Sequence, residues 1–196
     1  VDLKTMKKDD LWRLFPIILK PHNPEYINWY RQEKKILTKI IGDHLIKRMS
    51  HIGSTSVHNL IAKPTIDILL EVENEVALIE IKNKLEKESY ICHKQKDMFK
   101  NNSLMCLKGY SEKGFEEKVF HIHIKVLNNH KELYFRDYLK EHPEIARAYG
   151  ELKLELMKKY KHHRDHYTDS KSDFINRYTE AAKNMYKDRY NIKKKQ

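Results

Sequence analysis

Apolar and polar positions change period along the chain, and the changes mark the elements. Asp9 to Leu14 predicts a short helix, followed by Pro16 and an apolar run, Ile17-Ile18-Leu19, of strand type. Two prolines make Lys20 to Pro24 a turn. From Pro24 to about Ile41 the residues Ile27, Tyr30, Ile36, Leu37, Ile40 and Ile41 recur at helical spacing, with Asn23 as N-cap. Residues 46–52 predict a strand running into Gly53-Ser54-Thr55. Ile66 to Val72 predicts a largely buried strand with a single Asp67 near its start. A charged helix is expected at about 74–88, then strands near 89–94, 104–110 and 119–127. From Leu133 to Tyr190 the pattern is helical, broken at Pro143 and around His166–Ser170.

Strands fill the first two-thirds and helices the last third. The expected class is α+β: a mixed sheet with helices on one side and a C-terminal helical region. Residues 1–130 would form the core and 131–196 the helical region, together one structural unit. The 196 residues suit that size.

Net charge changes the picture of the partner. At +11 overall, the surface favours an anion such as a nucleotide, a nucleic acid or another phosphate. Residues 151–196 hold 13 Lys/Arg against 7 Asp/Glu, ending in Lys193-Lys194-Lys195. That excess is either a solvated face or an anion-binding one. No aromatic-rich RNA-binding strand accompanies it. No apolar run reaches membrane length, and Val1-Asp2-Leu3-Lys4 lacks a signal-peptide core. Cys92 and Cys106 suggest neither a disulfide framework nor a zinc site. The expected compartment is the cytoplasm.

Four segments carry candidate chemistry. In His51-Ile52-Gly53-Ser54-Thr55, a Gly-Ser pair at a strand end lets backbone N–H groups and the hydroxyl approach phosphate oxygens. Lys63 and Asp67 follow; a carboxylate in an otherwise apolar strand either binds a cation or pairs with Lys63 or a His. In Phe120-His121-Ile122-His123-Ile124-Lys125 the alternation puts His121 and His123 on one face, as a ligand pair or as a polar outer face. Arg136, in Phe135-Arg136-Asp137-Tyr138, can fork onto a phosphate or pair with a carboxylate. Lys171, in Tyr167-x3-Lys171-x2-Phe174-Ile175, can reach a phosphate as a point charge.

Together these runs resemble the GrpB family, whose strings of the type EHIGSTAVPGLAAKPIIDI, YHLHV and FRDYLR, then a Tyr-x3-Lys-x2-Phe-Ile run, correspond to Ser50–Ile68, Phe120–Ile124, Phe135–Lys140 and Tyr167–Ile175. The likeness extends from about Ile17 to Ala182. It implies a nucleotidyltransferase-like core, similar to a module fused to some bacterial dephospho-coenzyme A kinases. It departs from the family pattern at Ser50, in place of an acidic residue, and at His58, in place of a proline.

Polymerase-type relatives place two acidic residues as D-x-D, but Thr65 and Leu69 flank Asp67 at that spacing. Glu71 shares the face of Asp67, yet four strand residues span about 13 Å, too far for one magnesium ion. His51, His121 and His123 would then complete a metal site with Asp67, and imidazole favours manganese or zinc over magnesium. The expected reading is therefore a nucleotide or other phosphate-bearing small molecule as ligand. Gly53, Ser54, Thr55, Lys63, Arg136 and Lys171 would hold phosphate, and Asp67 and His123 would be catalytic if a nucleotidyl group is transferred. The alternative is a non-catalytic nucleotide- or coenzyme A-binding module.

Overall fold

The structure is a computed structural model and describes residues 3, 5–96, 102–128 and 130–192. In chain order the elements are α1 (Lys8–Leu14), α2 (Tyr26–Ile41), β1 (Arg48–Ile52), β2 (Thr65–Val72), α3 (Val76–Lys87), β3 (Ile91–Lys96), β4 (Asn102–Ser111) and β5 (Gly114–Val126). Four helices follow: α4 (Lys131–Glu141), α5 (Pro143–Tyr160), α6 (Arg164–Asp169) and α7 (Ser172–Tyr186). Among the described residues, no helix is long and apolar enough to cross a membrane. The basic run Lys193–Lys195 lies outside the described residues.

One five-stranded sheet has the order β1-β2-β5-β4-β3. Strands β2 and β5 run parallel, and the other pairs are antiparallel. The class is α+β, as the segregation of elements predicts. Ile66, Ile68 and Leu70 of β2 and Ile122 and Ile124 of β5 are fully buried against Leu37 and Ile41 of α2 and Ile81 and Leu85 of α3. Burying each such side chain stabilises by about 1.5–3 kcal/mol before entropy is counted. The helices do not keep to one side: Leu133 of α4 packs on Ile52 and Leu69, on the opposite face.

Local differences from the sequence pattern have physical causes. Ile17–Leu19 makes no strand; its neighbour Lys20 forms an isolated bridge to Ala62, and the flanking Pro16 and Pro21 cannot donate to a ladder. Helix α6 forms where a break is expected, with the chain turning instead at Lys161–His163. Asn23 accepts a hydrogen bond from the Glu25 N–H at 2.9 Å, just ahead of the helix rather than at its N-cap. The buried stripe of α2 is Tyr26, Tyr30, Glu33, Leu37 and Ile41, leaving Ile27 and Ile36 exposed. Glu33 is tolerated there because Lys108 Nζ reaches its two oxygens at 2.8 and 3.0 Å and Tyr90 donates to it. Cys92 and Cys106 stand directly opposite on β3 and β4 and are joined by a disulfide, a pairing that strand register decides and spacing does not reveal.

A bulge between Lys108 and Tyr110 breaks the ladder of β4 with β5. Gly109 sits at φ +88°, and a Cβ there would lie 2.2 Å from the Lys118 carbonyl oxygen. The register steps from Lys108↔Phe120 to Tyr110↔Phe115, two residues along β4 against five along β5, and the side chains of β4 change face across Gly109. Lys108 points to the α2 side, and Tyr110 turns its hydroxyl to His121 on the other face.

Glu71, on that second face, is fully buried. It accepts from Arg48, from His130 Nδ1 at 3.3 Å and from the Asn128 N–H at 3.2 Å, while Arg48 also donates to the Tyr190 carbonyl. The cluster ties β2 to β1, to the turn after β5 and to the segment after α7. Burial pushes the Glu71 carboxyl up, but hydrogen bonds from His130 and Arg48 hold it below its ordinary range. A carboxyl depressed in the folded state contributes stability above its unfolded pKa of about 4.3 and loses it as pH falls through the folded value. Glu71→Gln should therefore cost about 3 kcal/mol at pH 7, with the gap to wild type narrowing below about pH 4. Urea unfolding at pH 7 and pH 3 checks both statements.

Candidate functional site

Parallel pairing of β2 with β5 sets Asp67 opposite His121 and Leu69 opposite His123. Because neighbouring strands share their pleat, Asp67, His121 and His123 emerge on one face, away from α2 and α3. His121 Nδ1 lies 3.3 Å and His123 Nε2 3.4 Å from the same oxygen, Asp67 Oδ1. One ligand atom from each of the three residues falls within 4.8 Å of the others. Burial raises the Asp67 carboxyl, and hydrogen bonds from the two imidazoles more than reverse this, so it stays ionised well below its ordinary pKa. Burial lowers His121, keeping it neutral.

A hydroxyl backs the His121 ring. Tyr110 Oη lies 2.6 Å from Nε2, and Arg164 donates to the same hydroxyl at 3.3 Å. While Nδ1–H faces Asp67, Nε2 accepts from Tyr110. For Nδ1 to ligate a cation, Nε2–H must donate to the tyrosine instead, and a hydroxyl serves either state. One carboxylate and two imidazoles are a donor set suited to manganese, iron or zinc.

Gly53 closes one side of the cluster. Its φ is +70°, and a Cβ would stand 2.4 Å from Asp67 Oδ2. The glycine therefore gives both the turn into the 3-10 segment Ser54–Ser56 and the room for the carboxylate. Ser54 Oγ accepts from Lys153 Nζ at 3.0 Å; Lys153 also donates to the Ile61 carbonyl.

These groups line a cavity of about 550 Å³, into which α4–α7 add Arg136, Lys153, Arg164 and Lys171, while Lys63 precedes β2. The cations are crowded. Burial lowers Lys63 to about 7, helped by Arg164 and Lys171. Burial lowers Lys153 to about 7, with Lys171 and Lys63 adding to it. Burial lowers Lys171 to about 8, against the attraction of Asp67. An anion entering the cavity would relieve all three.

Three expected roles need correction. His51 points to the α2 side, stacked on Tyr30 at 5.0 Å, with Nε2 3.0 Å from Thr55 Oγ1, and is not among the converging ligands. Its place follows from register: it pairs with core-facing Ile68, whereas Ile52 pairs with Asp67. Thr55 is buried, and its hydroxyl donates to the Thr65 carbonyl at 3.1 Å, so it is spent inside the fold rather than on phosphate. Arg136 lines the cavity but takes the carboxylate alternative. It grips Asp137 at 2.6 and 2.9 Å and donates to the His51 carbonyl at 3.0 Å. Gly53, Ser54, Lys63, Asp67, His121, His123 and Lys171 all border one space.

Tyr110, Lys153 and Arg164 join the site without standing in any of the four sequence segments. Lys153 carries a signal: it falls with Ala146, Tyr149 and Gly150 on the buried stripe of α5, where a lysine needs a partner. Tyr110 and Arg164 carry none, since a bulge and a helix start place them.

The family model described as GrpB protein matches residues 16–181, and the chain belongs to that family. A relative from Bacillus subtilis, UPF0157 protein YqkA, is 31% identical over 173 residues, covering 87% of this chain and 48% of its own length. The chain thus spans about half of that relative. Glutamate-rich protein GrpB of Alkalihalophilus pseudofirmus is 27% identical over 81% of this chain and 91% of its own. The crystal structure of conserved protein GrpB from Enterococcus faecalis superposes with a TM-score of 0.73 at 29% identity, covering 86% of this chain and 99% of that one.

Gly53→Ala tests the packing of the loop against Asp67. The forced left-handed backbone and the clash should together cost about 1–3 kcal/mol, read by thermal or urea unfolding. Ser56→Ala, which removes only a hydroxyl donated to the Gly53 carbonyl, should cost about 1 kcal/mol.

Proposed function

We propose that this GrpB-family chain binds a nucleotide or another phosphate-bearing small molecule in the cleft over Asp67, His121 and His123, with a divalent cation held by those three side chains. The observation that carries the reading is the pairing of that cluster with Ser54, Lys63, Lys153, Arg164 and Lys171 around one cavity. The bound cation would neutralise phosphate oxygens and act as a Lewis acid there. The protein's own part is to orient. Ser54 Oγ and the backbone after Gly53 face the phosphate, Lys63 and Lys171 offset its charge, and Tyr110 holds the ring of His121. In a nucleotidyl transfer, in-line attack would need little covalent help, and Asp67 and His123 would touch the reacting group.

The core, 1–130, and the helical region, 131–196, form one unit in this reading, because each supplies part of the cleft wall. The four ordered sequence runs support the nucleotidyltransferase-like description of the core. A second reading keeps the ligand and drops the transfer. Glu71, the other carboxylate on this face of β2, is bound by Arg48 and His130, which leaves Asp67 as the carboxylate of β2 open to a cation. Adenylyl transfer from radiolabelled ATP, present or absent, separates the two.

Titration calorimetry with manganese, zinc and magnesium tests the cation. Manganese and zinc should bind at least about tenfold more tightly than magnesium, and Asp67→Asn or His123→Ala should each abolish binding. No binding of any of the three would end the metal reading.

The lysines give a separate test. Groups with pKa values near 7–8 are partly neutral at pH 8, and an anion raises them, so binding takes up protons. Affinity for inorganic triphosphate should fall by roughly an order of magnitude from pH 7 to pH 9. Lys171→Ala should weaken it at both. Calorimetry in buffers of different ionisation enthalpy measures the uptake, and release of protons would contradict the proposed contacts.

A further inference from the structure

A second cavity of about 560 Å³ adjoins the first, and Lys63, Thr65 and Arg164 line both. Its character is different. Phe15, Tyr110 and Phe115 form an edge-to-face trio with centroids 5.0–5.5 Å apart. Tyr26 and Trp29 of α2, 5.4 Å apart, add a second aromatic pair to the lining. Phe115, at the β4–β5 hairpin, is 37% exposed although it borders the cavity. Phe15 and Tyr26 are buried and Tyr110 is stacked on His121, so the exposed Phe115 and the half-buried Trp29 are the rings that offer a face to a further ring.

Charge divides the two spaces. Beyond the shared Lys63 and Arg164, the second cavity carries Lys20 and the carboxylates of Glu116 and Glu117, whereas the first gains Lys131, Arg136, Lys153 and Lys171 against Asp67 and Glu132. A phosphate is therefore drawn to the first cavity and repelled from the far part of the second. Carboxylates only accept hydrogen bonds, which suits a ring with an exocyclic amino group. Tyr110 joins the two spaces: its ring belongs to the aromatic trio, and its hydroxyl touches His121 and Arg164.

We propose that the aromatic cavity is the base subsite of a bipartite ligand, an amino-bearing nucleotide whose phosphates lie over Asp67 and whose ring stacks on Phe115 and Trp29, beside Phe15 and Tyr110. This inference rests on the phosphate-binding proposal and narrows it from any phosphate ester to one with a planar ring. An inorganic polyphosphate or a sugar phosphate would use only one of the two adjoining cavities.

The test compares ATP with inorganic triphosphate by calorimetry on wild type, Phe115→Ala and Lys171→Ala. ATP should bind wild type at least about fivefold more tightly, since stacking contributes a factor of about five or more per base. Phe115→Ala should lose about fivefold or more for ATP and leave triphosphate unchanged, while Lys171→Ala weakens both. In a Trp12→Phe background, ATP should quench Trp29 fluorescence and triphosphate should not; this readout stands even if Phe115→Ala misfolds. Equal affinity for the two ligands, no quenching by ATP, or an equal loss for both in Phe115→Ala would overturn the base subsite while leaving the phosphate reading intact. Failure of wild type to bind either ligand would overturn both.

Discussion

The register of the parallel pair β2–β5 is the constraint on which the rest depends. Side chains alternate, so a slip of one residue would send Asp67 into the apolar layer under α2 and bring Ile68 out into the cleft. The buried run Ile66, Ile68, Leu70 and Val72 against Ile122 and Ile124 makes that slip costly, because all four residues of β2 would leave the core. The same packing that stabilises the sheet thus holds one carboxylate between two imidazoles.

Two carboxylates emerge from that face of β2, and their neighbours give them different work. Glu71 is enclosed by Arg48, His130 and the Asn128 amide and holds the sheet to the chain after α7. Asp67 is 28% exposed and meets imidazoles, with the lysines of the cleft further out. A lysine in direct contact would cancel its charge; at a distance, the lysines leave it free for a cation while still attracting an anion. Low lysine pKa values follow first from burial, with neighbouring cations adding to it.

The bulge at Gly109 links the centre to its surroundings. It changes the face to which β4 points its side chains, so Lys108 can satisfy Glu33 beneath the sheet while Tyr110 orients His121 above it. Both partners sit where an ordinary alternation would allow only one of them. Helices α4–α7 then complete the cleft from outside, with Leu133 seated on Ile52 and Leu69 as the apolar anchor.

The sequence by itself determined the five strands of the sheet, with a sixth at Ile17–Leu19 that does not form, the α+β class and the central constellation. Alternation in Ile66–Val72 and Phe120–Val126 is a local property that a buried face imposes wherever those strands pair, and it already put His121 and His123 together. Gly53-Ser54 beside a lone Asp67 was legible for the same reason: each residue type is unusual for its immediate setting. Only the tertiary structure decided which groups joined them. His51 and Thr55 turned inward because β1 pairs with β2 in one register and not the next. Cys92 met Cys106 through the pairing of β3 with β4. Lys153 and Arg164 reached the cleft from helices nearly a hundred residues along the chain from Ser54 and Asp67. Those placements depend on contacts between distant segments, and no local pattern of polar and apolar residues encodes which distant segment will arrive.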